Sequence, residues 1–184
     1  MPNYCHNNLH FSGDCDIINE IKNDIFNDEL KLTFAKLLPT PSDLCKNYDK
    51  SLEESNEFKE KYGFDNWYDW RIHNWGTKWD AIDSVVNQDE NNIRIFFDTA
   101  WCPPMNWIFY INKKYPNLNL SIKFIDEMGG LIGLYQFENG QVIIEEYFND
   151  YDYSTDGDLD EALTTRINSI LRRKKIEKII KNIN

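Results

Sequence analysis

Two short stretches, Asn74-Trp-Gly-Thr-Lys-Trp-Asp80 and Asp98-Thr-Ala-Trp-Cys-Pro-Pro104, hold the densest set of side chains able to do chemistry: Trp75, Lys78, Trp79, Asp80, Asp98, Thr99 and Trp101. Two carboxylates near an ammonium can move one another's pKa values. One Asp could then serve as general acid or base while Lys78 stabilises developing charge. The indole faces could hold a base or a sugar ring. The same residues also suit a brace, with Lys78 between Trp faces in a cation-π contact, Asp80 or Asp98 neutralising it, and Trp101 plugging the end of a sheet. Gly76 would supply a tight turn and Cys102-Pro103-Pro104 a rigid switch from strand to helix. A Trp-rich cluster with no His, Ser nucleophile or metal set favours the brace, and the candidates for catalysis, should the protein be an enzyme, are Lys78, Asp80 and Asp98.

A second region of interest is the run Glu145 to Asp160, with seven acids and no base. Asp150, Asp152, Asp156 and Asp158 read either as a solvated linker and N-cap region for the last helix or as a Tyr-studded acidic patch suited to a basic groove on another protein. Asp152, Ser154, Asp156, Gly157 and Asp160 follow the opening positions of a calcium loop, but the twelfth position is Leu163 where a bidentate Glu is needed, so calcium would bind weakly if at all; no cofactor is expected. The segment 159 to 182 reads as a helix whose apolar stripe changes sides across Arg172-Arg173-Lys174-Lys175. Its second half is a candidate for homodimerisation or partner docking. The three His with Cys5 and Cys15 lack compact zinc spacing, and Cys102 has no neighbouring base.

These residues must be held by a fold. Residues 4 to 11 alternate as a strand, and Ile17, Ile18, Ile21 and Ile25 mark one face of a helix. Leu37-Leu-Pro-Thr-Pro41 opens an insertion, about 38 to 75, with a charged helix near 50 to 62 and another near 65 to 72. Residues 80 to 86 and 92 to 99 are expected to pair as a hairpin, which would place Asp80 near Thr99 and Lys78 near Trp101, give or take a register step, and bring both Trp motifs to one place. Trp107, Ile108, Ile111 and Tyr115 form the stripe of a second helix. Residues 118 to 126 give a strand, and Glu138-Asn-Gly-Gln141 turns a last hairpin. The order predicts an α+β, ferredoxin-like split βαβ sandwich, an antiparallel sheet with helices on one face, extended by a β-hairpin and a C-terminal helix. Residues 1 to 148 would be that domain, and 149 to 184 an appendage of acidic loop and basic helix.

The chain of 184 residues has a net charge of -11, and residues 161 to 184 carry seven Lys and Arg against two Glu, which leaves -16 for everything before them. An acidic body is a poor ligand for phosphate backbones, so direct nucleic-acid binding, including RNA on the sheet face, is disfavoured. Scattered Cys, no leader-like N-terminus and no membrane-length apolar run point to a cytoplasmic protein.

Met1-Pro-Asn-Tyr-Cys-His-Asn-Asn-Leu, Leu38-Pro-Thr-Pro41 and the two Trp motifs, in this order, resemble the YubB-like proteins of phages and conjugative plasmids over roughly residues 1 to 148. The resemblance implies a ferredoxin-like domain carried by mobile elements and transfers no catalytic residue. With the acidic body, it leads us to expect a non-enzymatic accessory protein that binds and inhibits a host protein with a basic surface. A nuclease or ribonucleoprotein such as a CRISPR or restriction effector is the expected target. The alternative is a small enzyme or nucleotide-binding domain using the Trp/Lys/Asp pocket.

Overall fold

The computed structural model describes residues 3–46, 50–128, 130–148 and 172. Strand β1 (Tyr4–Ser12) buries Cys5, Asn7, Leu9 and Phe11 and leaves the residues between them on the other face, the alternation its sequence shows. Helix α1 (Cys15–Ile25) follows and buries Ile18, Ile21 and Ile25. Strands β2 (Ile82–Gln88) and β3 (Asn92–Ala100) form the hairpin, α5 (Met105–Lys114) buries Trp107, Ile108 and Ile111, and β4 (Asn119–Asp126) closes the repeat. Strands β5 (Ile132–Glu138) and β6 (Gln141–Phe148) then extend the sheet.

The six strands lie in the order β2-β3-β1-β4-β5-β6, every neighbouring pair antiparallel. The first four give the split βαβ order, in which β3 slots between β1 and β2, and β1 between β3 and β4. The fold is thus α+β and ferredoxin-like, with the β5–β6 hairpin as expected. Asn139 and Gly140 turn that hairpin at φ 51° and 73°, the left-handed pair an Asn-Gly turn requires.

Between α1 and β2 lies the insertion: α2 (Phe34–Leu37), a 3-10 turn (Ser42–Cys45), α3 (Leu52–Tyr62) and α4 (Trp67–Trp75). Helix α3 starts from a reciprocal cap, in which Ser51 accepts from the Glu54 N–H and Glu54 from the Ser51 N–H, and stops at left-handed Gly63. Helix α4 starts from Asn66, which accepts from the Asp69 N–H. Phe34, from the shortest of these helices, fills the centre of the core. Its ring centroid is 5.7 Å from Trp75, 6.0 Å from Phe97 and 4.8 Å from Trp107, so one residue ties insertion, sheet and α5 together.

The register corrects one expectation. Ile82 pairs with Asp98 but Val85 with Phe96, so β2 carries an extra residue, with Asp83 at φ 49°. Asp80 falls before the strand and does not face Thr99.

The chain divides into two compact units, Met1–Asn149 and Asp150–Asn184. The expected acidic patch (Asp150, Asp152, Asp156, Asp158), the calcium-like positions (Asp152, Ser154, Asp156, Asp160) and Arg173, Lys174 and Lys175 of the expected terminal helix lie outside the described residues. Among the described residues no helix is long and apolar enough to cross a membrane.

Candidate functional site

The two Trp motifs do meet, and their meeting is built from backbone carbonyls. Helix α4 ends at Gly76, φ 88°, where a Cβ would stand 3.0 Å from the Met105 nitrogen. Only glycine takes that conformation cheaply and lets the link between β3 and α5 approach so closely. Thr77, fully buried, donates to the Ala100 carbonyl at 2.9 Å, and the Cys102 thiol lies 3.1 Å from the Gly76 carbonyl. Thr99 donates to the Cys102 carbonyl at 2.8 Å. From β1, buried Asn7 donates to the Cys5 carbonyl at 2.8 Å and Thr99 Oγ1 at 2.9 Å. These polar groups are buried in the corner and paired, which is the condition for their being there at all.

The insertion is strapped on by the same corner. Trp75 is fully buried and its indole N–H donates to the Leu38 carbonyl at 2.9 Å. The Arg71 guanidinium lies 5.1 Å from the Trp67 ring and 4.7 Å from the Trp75 ring while Nε donates to Thr40 Oγ1 at 2.9 Å. The Leu38-Pro-Thr-Pro41 segment and α4 are thereby one piece. Trp75 is a core residue and offers no surface to a ligand.

Asp80 is a cap. It accepts from the Thr33 hydroxyl at 2.7 Å, the Phe34 N–H at 2.6 Å and its neighbour Ala81 N–H at 2.8 Å. Its charge sits at the start of α2, where the backbone N–H groups lack helical partners. The expected neutralisation of Lys78 by Asp80 or Asp98 is therefore not the arrangement found. Asp98 pairs instead with His6, Nδ1 to Oδ1 at 2.7 Å, across the β1–β3 ladder. Sequence reasoning missed that pair. The signal existed, because β1 beside β3 follows from the split βαβ order, but the register that brings 6 to 98 had no local marker.

What remains is Trp101, exposed to solvent, with half-buried Lys78 and Trp79 beside it. The Lys78 Nζ lies 4.3 Å from the Trp79 ring centroid and 5.0 Å from that of Trp101, the sandwich that the bracing reading foresaw. The expectation that Trp101 plugs the sheet end does not hold, since 61% of its surface is exposed. Its backbone stands at φ 77°, held by its N–H to the Asn3 carbonyl at 2.8 Å and by the Cys102 N–H to the Ala100 carbonyl at 3.0 Å. A bulky residue in the left-handed region is strained by about 1–2 kcal/mol. The chain accepts that strain to hold an indole out in water.

Burial pushes the thiols of Cys5 and Cys102 up from their ordinary value, so neither is an activated nucleophile. Cys5 faces the core, while His6 and His10 share the opposite face of β1, an arrangement that could not gather them around one ion.

Residues 74–166, which include both Trp motifs, match the family model described as "Ferredoxin-like domain in Api92-like protein". Among solved structures, the crystal structure of protein api92 from Yersinia pseudotuberculosis is similar, with a TM-score of 0.53 at 9% sequence identity, covering 83% of this chain and 100% of that one. At that identity the likeness speaks for the fold. A comparison with curated proteins found no match.

Proposed function

The chain belongs to the family described as the ferredoxin-like domain of Api92-like proteins, and from that premise we propose that it is a non-enzymatic binding module that docks on another protein through Trp101, Trp79 and Lys78. The observation that carries this reading is Trp101, a large aromatic held mostly exposed by a strained backbone with an ammonium against its ring. Exposed Trp is the residue type most enriched among interface anchors, because one ring buries a large area at little side-chain entropy. The carboxylates that could have done chemistry beside it are engaged elsewhere, Asp80 on backbone N–H groups and Asp98 on His6.

The finer reading rests on sequence. The YubB-like resemblance supports a phage or plasmid setting. The net charge of -11 supports a partner with a basic surface. Together they describe an accessory protein that inhibits a host nuclease or ribonucleoprotein such as a CRISPR or restriction effector, with Asp150, Asp152, Asp156 and Asp158 as a second contact. The test is affinity capture from host extract on the native protein and on Trp101→Gly side by side, followed by titration of the purified partner. A partner held by the native chain and lost by the variant supports the reading, and a partner held equally by both rejects it.

One observation favours a second reading, a small enzyme. The His6 imidazole is oriented by Asp98 through Nδ1 and its side chain is 49% exposed, which leaves Nε2 as a potential general base. Loss of a measured turnover in His6→Gln with folding intact would support it.

A further inference from the structure

At the end of the sheet remote from the Trp corner, the face of β1 that carries His6 and His10 bears a second site. Arg94 of β3 pairs with His10 of β1 and with Asn87 of β2, and His10 pairs with Ser121 of β4. Paired residues of an antiparallel ladder point to the same side. One row across four strands therefore presents an amide, a guanidinium, an imidazole and a hydroxyl. A groove of about 550 Å³ runs from the first three of these, Asn87, Arg94 and His10, toward the β2–β3 turn, where Gln88, Asp89 and Asn92 complete its lining. That volume falls in the range of small-molecule sites, roughly 300–1,000 Å³.

No carboxylate lies within ion-pair distance of Arg94 among the described residues. A guanidinium left unpaired in a groove beside an imidazole and side-chain amides is a donor set for a tetrahedral oxyanion, which Arg binds through two parallel N–H groups. Asp89 limits the choice. Its oxygens accept from the Asn91 N–H at 2.9 Å and the Asn92 amide at 3.1 Å, and its negative charge stays in the lining. One phosphate can be balanced there by Arg94 and His10, whereas a polyphosphate would be repelled.

We propose that this groove binds a single phosphate group, free or as a monoester, on Arg94 and His10. It is independent of the docking surface at Trp101. His10 supplies the readout. Burial, then the facing Arg94, hold its pKa below the ordinary 6.5, with Lys123 acting the same way and Asn92 and Asp89 opposing. A bound phosphate must favour the protonated imidazole and raise that pKa.

The experiment is an NMR titration of the His10 imidazole in the full chain at several pH values, with adenosine monophosphate, inorganic phosphate, adenosine triphosphate and a short single-stranded oligothymidylate as probes. The monophosphate, inorganic phosphate or both should raise the His10 pKa by about one unit. Arg94→Gln should abolish that rise and weaken binding at least tenfold. Arg94 is exposed, so an unchanged melting curve will show that its variant is folded. No His10 response to either the monophosphate or inorganic phosphate at millimolar concentration, an equal response in Arg94→Gln, tighter binding of the triphosphate, or a response to the oligonucleotide alone would each overturn the proposal.

Discussion

Replacing Asp80 by Ala removes the acceptor for the Thr33 hydroxyl and for the Phe34 and Ala81 N–H groups at once. A lost N-cap costs about 0.5–2 kcal/mol, and a hydrogen bond to a charged acceptor contributes about 1.5–3 kcal/mol. Because the three bonds share one acceptor they do not add, and a net loss of about 3 kcal/mol is expected. For a domain of this size, that lowers the melting temperature by roughly 6–12 °C. Phe34 follows the cap directly and sits among Trp75, Phe97 and Trp107, so near-ultraviolet dichroism should fall with it. Asp80→Asn keeps the shape and one acceptor oxygen, and should lose about half as much. Urea unfolding with both variants measures this. A loss for Asp80→Ala below about 1 kcal/mol, or a fully stable variant that has lost partner binding, would refute the assignment of Asp80 to the fold.

Trp101→Gly relieves a φ of 77° and removes a mostly exposed ring; the relief and the lost cation-π contact are each about 1 kcal/mol, so urea unfolding should show stability changed by less than about 1 kcal/mol. Gly76→Ala puts a Cβ 3.0 Å from the Met105 nitrogen at φ 88°, and should destabilise by about 2 kcal/mol or more in the same assay. The carboxyl of Asp65 is held well below its ordinary value of 3.8 by the Ser55 hydroxyl, Lys59 and Asn66. A depressed folded pKa gives stability that is complete above the unfolded value and drains away as pH falls through the folded one. Acid unfolding of the native chain should therefore steepen below about pH 4, and Asp65→Asn, less stable at neutral pH, should flatten that part of the curve.

Most of the frame was legible because it is encoded locally. Alternation in β1 and β3, the Ile stripe of α1, the Trp107 to Tyr115 stripe of α5 and the Asn-Gly turn each follow from side-chain period or turn chemistry. Counting from the β2–β3 turn even joined the two Trp motifs, and Lys78 does lie against Trp101. The count missed for Asp80 because the turn is centred between Glu90 and Asn91, one residue later than the limits 80–86 and 92–99 imply, and because the ladder begins only at Ile82. The true partners of Asp80, at Thr33 and Phe34, are far away in sequence and belong to a helix too short to show a period. The His6–Asp98 pair and the Arg94–His10 row likewise exist only once the strands are in register. Trp75 and Trp101 look alike as letters. One is buried by the insertion and the other is thrown outward by a single left-handed residue, and that difference is tertiary.

The central claim is that the corner braces the fold with Trp75, Asp80 and Thr77 and offers Trp101 with Lys78 to a partner. It is tested most directly by calorimetric titration of the captured partner against the native chain, Trp101→Gly and Lys78→Ala, with urea unfolding of each variant alongside. The account predicts Trp101→Gly to be as stable as the native chain within about 1 kcal/mol and at least about 30-fold weaker in binding, the mark of an anchor residue, with Lys78→Ala intermediate. Native affinity in a folded Trp101→Gly would contradict it.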